Sequence, residues 1–202
     1  MLDDADLVAR LQAGDEQAFV LLVDLYHAPL LRLASTFVPS RAVAEEVVQD
    51  TWLGVVRGIH RFEGRSSLKT WLFRIVVNRA RTAGVRERRE TPTDRPDSYS
   101  SGEPAVPPER FNAGGGWSSP PTPWSDDAED RIVARQTAAK VSRHLNLLPD
   151  RQRQVVVMRD FEGLPATEVC TILGITEANQ RVLLHRGRSR LRNMLERELG
   201  KG

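Results

Sequence analysis

The chain has 202 residues, and its 29 basic and 27 acidic side chains leave a formal net charge of +2 at pH 7. This length allows one or two domains, each with its own apolar core. The single cysteine, Cys170, excludes an internal disulfide or a cysteine-ligated metal cluster, and we expect it to fill space in a core. The sequence lacks the spacings typical of catalytic triads, phosphate-binding glycine loops and metal sites, so we predict neither an enzyme nor a cofactor.

The small net charge hides a strong segregation along the chain. Residues 60–90 contain nine basic and three acidic side chains, residues 91–130 two and eight, and residues 131–202 fourteen and seven. Two basic segments on either side of an acidic one are typical of a protein with two separate contacts to nucleic acid. The alternative is an arginine-rich surface that is merely solvated.

The N-terminus indicates where the protein works. Asp3, Asp4 and Asp6 stand where a secretory signal needs positive charge, and no apolar run of membrane-spanning length is evident. We therefore expect a cytoplasmic protein that does not insert into a membrane.

Apolar residues recur at helical spacing through the first ninety residues and predict four helices. Capping and helix-breaking residues mark their ends: Asp4, Gly14, Asp15, Pro39, Ser40 and Ser67. The second helix should bury a face formed by Ala18, Phe19, Leu22, Leu25, Tyr26, Leu33 and Phe37. A loop, residues 60–67, separates the third helix from the fourth. In the fourth, Trp71 shares the apolar stripe of Leu72, Ile75 and Val76, so we expect it in the core although Trp71 and Phe73 could also stack on a base.

Residues 91–127 differ from the rest because they are rich in proline, glycine and serine and carry net negative charge. Such a composition cannot build a packed core, so we predict a flexible, acidic linker. Its aromatic residues Phe111, Trp117 and Trp124 are unusual in a tether. They could dock in a groove of a partner or contact either domain loosely.

The C-terminal segment again has helical periodicity. We predict a helix over residues 126–148, a second capped by Asp150 and continuing to Phe161, and a helix-turn-helix over residues 164–192. In that motif Ala166, Val169, Cys170 and Leu173 form one apolar stripe, and Leu184, Gly187, Leu191 and Leu195 form the other. Gly174 should end the first helix and Thr176 should cap the second.

The early residues of the second helix are polar, and in a helix-turn-helix these residues meet base edges in the major groove. The pattern therefore favours a DNA-reading protein. An ordinary amphipathic hairpin with a charged, solvated face is the alternative interpretation.

Three strings in order along the chain resemble one family, namely AEEVVQDTWLGV, RFEGRSSLKTWLFRIVVNRARTAGVRERR and LPDRQRQVVVMRDFEGLPATEVCTILGIT. They are similar to the extracytoplasmic-function (ECF) group of bacterial RNA polymerase sigma factors. The resemblance implies an all-α protein with two small helical domains and a long flexible linker. It places a region 2 domain at residues 1–90, the linker at 91–127 and a region 4 helix-turn-helix domain at 128–202.

The resemblance also implies a function. Such a protein binds core RNA polymerase, recognises the two elements of promoter DNA, opens the duplex for transcription initiation, and is often held by an anti-sigma factor. Expected clamp-binding residues are Glu46, Gln49 and Asp50. Expected contacts to the −10 element and the non-template strand are Phe62, Arg65, Ser66, Ser67, Lys69, Asn78 and Arg81.

The −35 element would be read by the second helix of the motif, through Glu177, Asn179, Gln180, Arg181, His185, Arg186 and Arg188. Here the chain departs from the usual family pattern, because Gln180 replaces a valine that commonly faces inward and Leu183 replaces a basic residue. We predict that Asn179, Gln180 and Arg181 read bases and that Arg186 and Arg188 contact phosphate.

Two other functional classes fit parts of the sequence. A helix-turn-helix regulator would bind operators alone, but the first ninety residues resemble neither a dimerisation nor a ligand-binding domain. A protein that binds polymerase or an anti-sigma factor without initiating transcription would lack promoter activity.

Overall fold

The structure is a computed structural model that describes residues 4–90 and 141–199. These residues are helical and contain no β-strand. The helices are α1 (Asp4–Gln12), α2 (Glu16–Ala34), α3 (Arg41–Gly58), α4 (Leu68–Glu90), α5 (Asp150–Val156), α6 (Ala166–Leu173) and α7 (Glu177–Leu199). The described chain divides into two compact units, residues 4–90 with Glu162–Gly174 and residues 141–161 with 175–199. This architecture confirms the predicted all-α fold class.

Local capping chemistry sets the starts of the N-terminal helices. The Asp15 carboxylate accepts the backbone N–H groups of Gln17 and Ala18, at 2.9 and 3.2 Å, and so begins α2. Ser40 accepts the N–H of Val43 at 3.3 Å at the start of α3. Ser67 accepts the N–H of Thr70 at 3.1 Å at the start of α4. All three caps were predicted from the sequence.

The core of the first unit lies between α2, α3 and α4. Its fully buried members are Leu22, Leu30, Leu33, Ala44, Val48, Val55, Leu72, Phe73, Val76, Val77 and Ala80. The predicted apolar face of α2 is wrong at two residues. Leu25 is 51% exposed, and Phe37 lies after the helix has ended at Ala34. The helix ends before Pro39, where the hydroxyls of Ser35 and Thr36 donate to backbone carbonyls.

By length and composition alone, α2 could cross a membrane. Its Leu22, Leu30 and Leu33 are nevertheless fully buried in the first unit. Burial of this kind is typical of the core helix of a folded domain.

In the second unit α5 crosses α7 at Gly187. A Cβ at this glycine would lie 2.6 Å from Val156 Cγ2 and 3.4 Å from Gln152 Cβ, so the crossing leaves no room for a side chain at position 187 unless Val156 moves. After Val156 the chain continues as a π-helical turn, Val157–Phe161. Asp150 is the first residue of α5 rather than its cap, since Pro149 holds the capping position.

The turn between α6 and α7 has the predicted geometry. Gly174 adopts the left-handed conformation, φ +67°, and its N–H donates to Cys170 O at 2.8 Å. Thr176 Oγ1 accepts the N–H of Asn179 at 3.2 Å and begins α7. The buried residues of α6 are Val169, Ile172 and Leu173, whereas Cys170 and Ala166 are only half-buried.

Several predictions fall outside the described residues. These are the linker at 91–127 with Phe111, Trp117 and Trp124, and most of the helix predicted over 126–148. Of that helix, residues 141–145 are described and are helical.

Candidate nucleic-acid and polymerase interfaces

The loop that follows α3 presents polar side chains around an aromatic pair. Arg65, Ser66 and Ser67 are exposed, and Phe62 is half-buried. The rings of Phe62 and Trp71 lie 5.2 Å apart at an interplanar angle of 50°. This arrangement provides an apolar wall beside hydrogen-bonding groups and a cation, which are the groups that an extruded base needs.

The two aromatic side chains considered as base stackers have different environments. Phe73 is fully buried, so it belongs to the core and cannot meet a base in this conformation. Trp71 is half-buried and packs on Phe62 and against Gly58, where a Cβ would lie 3.5 Å from Trp71 Cζ2. Trp71 therefore packs against the loop and lies only partly in the core, so the expectation that it is a core residue holds only in part.

The remaining residues of this set lie along α4. Asn78 is exposed, while Lys69 and Arg81 are half-buried. Lys69 Nζ lies 5.4 Å from the centre of the Phe73 ring and hydrogen-bonds the Glu162 carbonyl. The guanidinium of Arg81 lies 5.9 Å from the Phe37 ring, and Arg81 Nη2 donates to Leu173 O at 2.9 Å. Both cations thus have protein partners that DNA would have to share or replace.

The exposed face of α3 carries Glu46, Gln49 and Asp50. Two basic residues of α4 lie opposite, with Arg86 3.5 Å from Glu46 and Arg79 3.8 Å from Asp50. All four charged side chains are well exposed, so these ion pairs contribute little to stability and leave the carboxylates accessible. The sequence alone did not indicate these partners, because they come from the neighbouring helix.

At the start of α7, Glu177, Asn179 and Arg181 are exposed. Arg181 Nη2 lies 3.2 Å from Glu177 Oε2 across one helical turn. Arg186 is exposed further along the helix, and His185 is half-buried. These residues form an accessible polar surface on the recognition helix.

Gln180 corrects the predicted set of base readers. Its side chain is 2% exposed, and its Nε2 has no hydrogen-bond partner among the residues that the structure describes. The side chain occupies the inward position that valine commonly takes in the family, because the helical register fixed by Thr176 turns this position inward. In this conformation Gln180 cannot read a base edge.

Arg188 was expected to contact phosphate, but its side chain is only 12% exposed. It makes a two-pronged ion pair with Asp160, in which Nε lies 2.9 Å from Oδ2 and Nη2 lies 2.5 Å from Oδ1. Such a planar pair is strongly oriented. Arg188 therefore links α7 to the π-helical turn, and in this conformation its guanidinium is not available to bind DNA.

Sequence reasoning also missed Asp160 and the contact in which Gln12, at the end of α1, donates to the carbonyls of Ile59 and Phe62. The bonded residues lie far apart along the chain, so no local sequence pattern indicates that they are in contact. No group of three or more His, Cys, Asp or Glu side chains positioned to hold a metal occurs within residues 4–90 and 141–199.

Comparison with known proteins gives the family. The Sigma-70 region 2 family matches residues 22–90, and the Sigma-70 region 4 family matches residues 139–191. The ECF RNA polymerase sigma-E factor of Escherichia coli is 31% identical over 195 residues, covering 96% of this chain and 95% of that protein. The RNA polymerase sigma-H factor of Pseudomonas aeruginosa is 30% identical over 193 residues, covering 96% and 94%.

A solved structure shares the fold. The sigma factor RpoE of Bartonella quintana, in complex with the anti-sigma factor NepR, matches with a TM-score of 0.58 at 21% identity, covering 88% of this chain and 96% of that chain. The two family matches follow in the order of the resemblance seen in the sequence. The chain belongs to the ECF sigma factors, the subunits that direct RNA polymerase to promoters.

Proposed function

We propose that the N-terminal domain, residues 1–90, opens the −10 element and holds an extruded non-template base against Phe62. The supporting observation is the exposed loop, where Arg65, Ser66 and Ser67 stand beside the paired rings of Phe62 and Trp71. Stacking a base on an aromatic ring contributes about 1–3 kcal/mol, which offsets the few kcal/mol needed to unstack it. Lys69, Asn78 and Arg81 follow the strand along α4.

The exposed face of α3 is the surface proposed to bind the polymerase clamp. Glu46, Gln49 and Asp50 offer carboxylates and an amide to a basic helical partner. Arg79 and Arg86 lie within 4 Å of two of them and would exchange those weak contacts for the partner's cations.

The start of α7 is proposed to read the −35 element. Asn179 and Arg181 can pair with adenine and guanine respectively, while Glu177 can accept from cytosine. Arg186 and His185 follow one to two turns later and are assigned to the backbone. Gln180 and Arg188 are left out of the reading set because one is buried and the other is held by Asp160.

The chain as a whole would act in the cytoplasm at the nucleoid, with core RNA polymerase and promoter DNA as partners and without catalysis of its own. We propose domain boundaries at 90 and 128, with a linker at 91–127. The region 2 match ends at residue 90, and the region 4 match, residues 139–191, lies within the proposed second domain. An anti-sigma partner is supported by the relative from Bartonella quintana, which was solved with one.

Runoff transcription tests this assignment. Core RNA polymerase, the protein and a library of random promoter DNA should yield transcripts whose upstream sequences define both elements. Arg65→Ala and Asn78→Ala should reduce promoter opening, measured by permanganate reactivity. Arg41→Ala should not, because Arg41 is the first residue of α3 and the loop follows the last. Absence of any transcript would leave a protein that binds without initiating.

A further inference from the structure

Gln12, the last residue of α1, bridges two backbone carbonyls at the base of the loop. Its Nε2 donates to Ile59 O at 3.1 Å and to Phe62 O at 3.0 Å, across 47 and 50 residues of sequence. A side-chain amide carries two N–H donors, so this contact uses both of them. Gln12 is half-buried.

The two carbonyls belong to the point at which α3 gives way to the loop. Residues Ile59–Arg61 form a single 3-10 turn, closed by the Phe62 N–H to Ile59 O hydrogen bond of 3.0 Å. The Ile59 carbonyl therefore already accepts one N–H, and Gln12 gives it a second donor. Gln12 also donates to the Phe62 carbonyl, which lies after the turn, and so fixes the backbone of Phe62.

Phe62 is thereby held on two sides. Gln12 holds its backbone, and Trp71 lies against its ring at 5.2 Å. Beyond it the chain turns at Gly64, which has φ +70° and so adopts a conformation that other residues rarely take. The exposed side chains of Arg65, Ser66 and Ser67 depend on where this anchored residue starts the loop.

The helix that supplies Gln12 is itself firmly attached. Leu7 and Leu11 are buried. Arg10 forms an ion pair of 2.9 Å with Asp15, the residue that also caps α2. Yet α1 lies before the family match, which begins at residue 22. A segment outside the matched region therefore contacts the backbone of the loop to which base binding is assigned.

We propose that Gln12 is a positioning residue for the −10 element: it pre-orders the loop at 62–67 so that its side chains meet the extruded base without first being ordered. The proposal rests on the function assigned above to that loop. Pre-ordering lowers the entropic cost of binding, so loss of the two hydrogen bonds should weaken binding of the single strand by about tenfold.

The test uses the full chain in complex with core RNA polymerase. Gln12→Met keeps the length of the side chain and removes both donors, and Gln12→Asn keeps both donors on a chain one carbon shorter. Gln17→Met is the matched control, because Gln17 is an exposed glutamine on the adjacent helix. The probe is a labelled non-template single strand of a promoter that the wild-type holoenzyme transcribes, and the −35 duplex serves as a second ligand.

We expect Gln12→Met to bind the single strand about tenfold more weakly and to open the promoter more slowly, with unchanged affinity for the −35 duplex. Amide hydrogen exchange at residues 63–67 should become faster. Gln12→Asn should show a smaller loss, and it remains informative if Gln12→Met does not fold. Gln17→Met should match the wild type in every measurement.

Wild-type affinity of both Gln12 variants for the single strand would overturn the proposal. So would a parallel loss of single-strand binding, −35 binding and thermal stability, because that result describes a general support of the fold. If the Gln12 variants and Arg65→Ala all bound the single strand with wild-type affinity, the proposed base binding by the loop would fail, and not only the role of Gln12.

Discussion

The two units differ in how their buried polar side chains are hydrogen-bonded. In the N-terminal helices the buried hydroxyls of Thr36 and Thr51 donate to backbone carbonyls three or four residues earlier, at 2.7 and 2.8 Å. In the second unit, the side chains of Gln152, Gln180 and Ser189 are buried, and each has an atom without a hydrogen-bond partner among the described residues. The two threonine hydroxyls are thus satisfied on their own helices, whereas these three side chains are not.

This difference explains where sequence reasoning succeeded. In the first unit the core is mostly apolar, and its buried Thr36 and Thr51 bond to their own backbone, so periodicity separates most of the core from the site. In the second unit polar side chains occupy core positions, so a polar residue on α7 is not necessarily a DNA contact. Gln180 and Arg188 are the two residues for which this rule failed.

The largest expected effect concerns close packing in the first unit. A Cβ at Gly84 would lie 2.7 Å from the backbone oxygen of Phe37, which cannot move without its chain. Gly84→Ala should therefore lower the free energy of unfolding by about 1–3 kcal/mol, measured by urea denaturation. A Cβ at Gly54 would instead meet the flexible end of Arg79 at 2.6 Å, so Gly54→Ala should cost little. Equal losses in the two variants would contradict this account.

The second prediction concerns two arginines of α7, one expected to bind DNA and the other to stabilise the fold. Arg181→Ala should weaken binding to the cognate −35 duplex by about 1–3 kcal/mol and leave thermal stability unchanged, since Arg181 is exposed. Arg188→Ala should lower thermal stability, because it strips Asp160 of its two-pronged partner. Binding assays with cognate and scrambled duplexes check the first claim. An equal loss by Arg181→Ala on every duplex would remove Arg181 from the base readers.

A third prediction tests whether the buried amide of Gln180 lowers the stability of the protein. Gln180→Val removes an unpartnered Nε2 from the core and restores the residue that the family commonly carries there. We expect a gain of about 1 kcal/mol in stability. The preference among −35 sequences should not change, as judged by selection from a random duplex library. A changed preference would return Gln180 to the reading set.

The smallest effect concerns the cap of α2. Hydrogen bonding from Arg10, and then from the N–H of Ala18, lowers the pKa of the Asp15 carboxyl below 3.8. Its contribution to stability is therefore complete only well above pH 3.8, from about pH 5, and is lost as the pH falls through 3.8 toward the lower folded-state pKa. Asp15→Asn keeps a capping oxygen but no charge, so it should flatten the stability profile in that range. Asp24→Asn, on the exposed side of α2, serves as the control.

The sequence by itself determined the helices, their caps and the family. Ser40, Ser67 and Thr176 act on residues within one turn, and apolar stripes act within two, so local spacing specifies them. The ordered strings at 44–55, 61–89 and 148–176 carried the family assignment independently of packing. These features follow from short-range chemistry and could be predicted.

Only the tertiary structure decided which polar side chains are free to act. Asp160 reaches Arg188 across 28 residues, and Gln12 reaches Ile59 across 47. Such contacts depend on how the helices cross, which the glycine at 187 and the turn at 59–61 set in three dimensions. The sequence thus places the helix and the loop that are proposed to contact the promoter, while packing between distant segments selects the side chains that each presents.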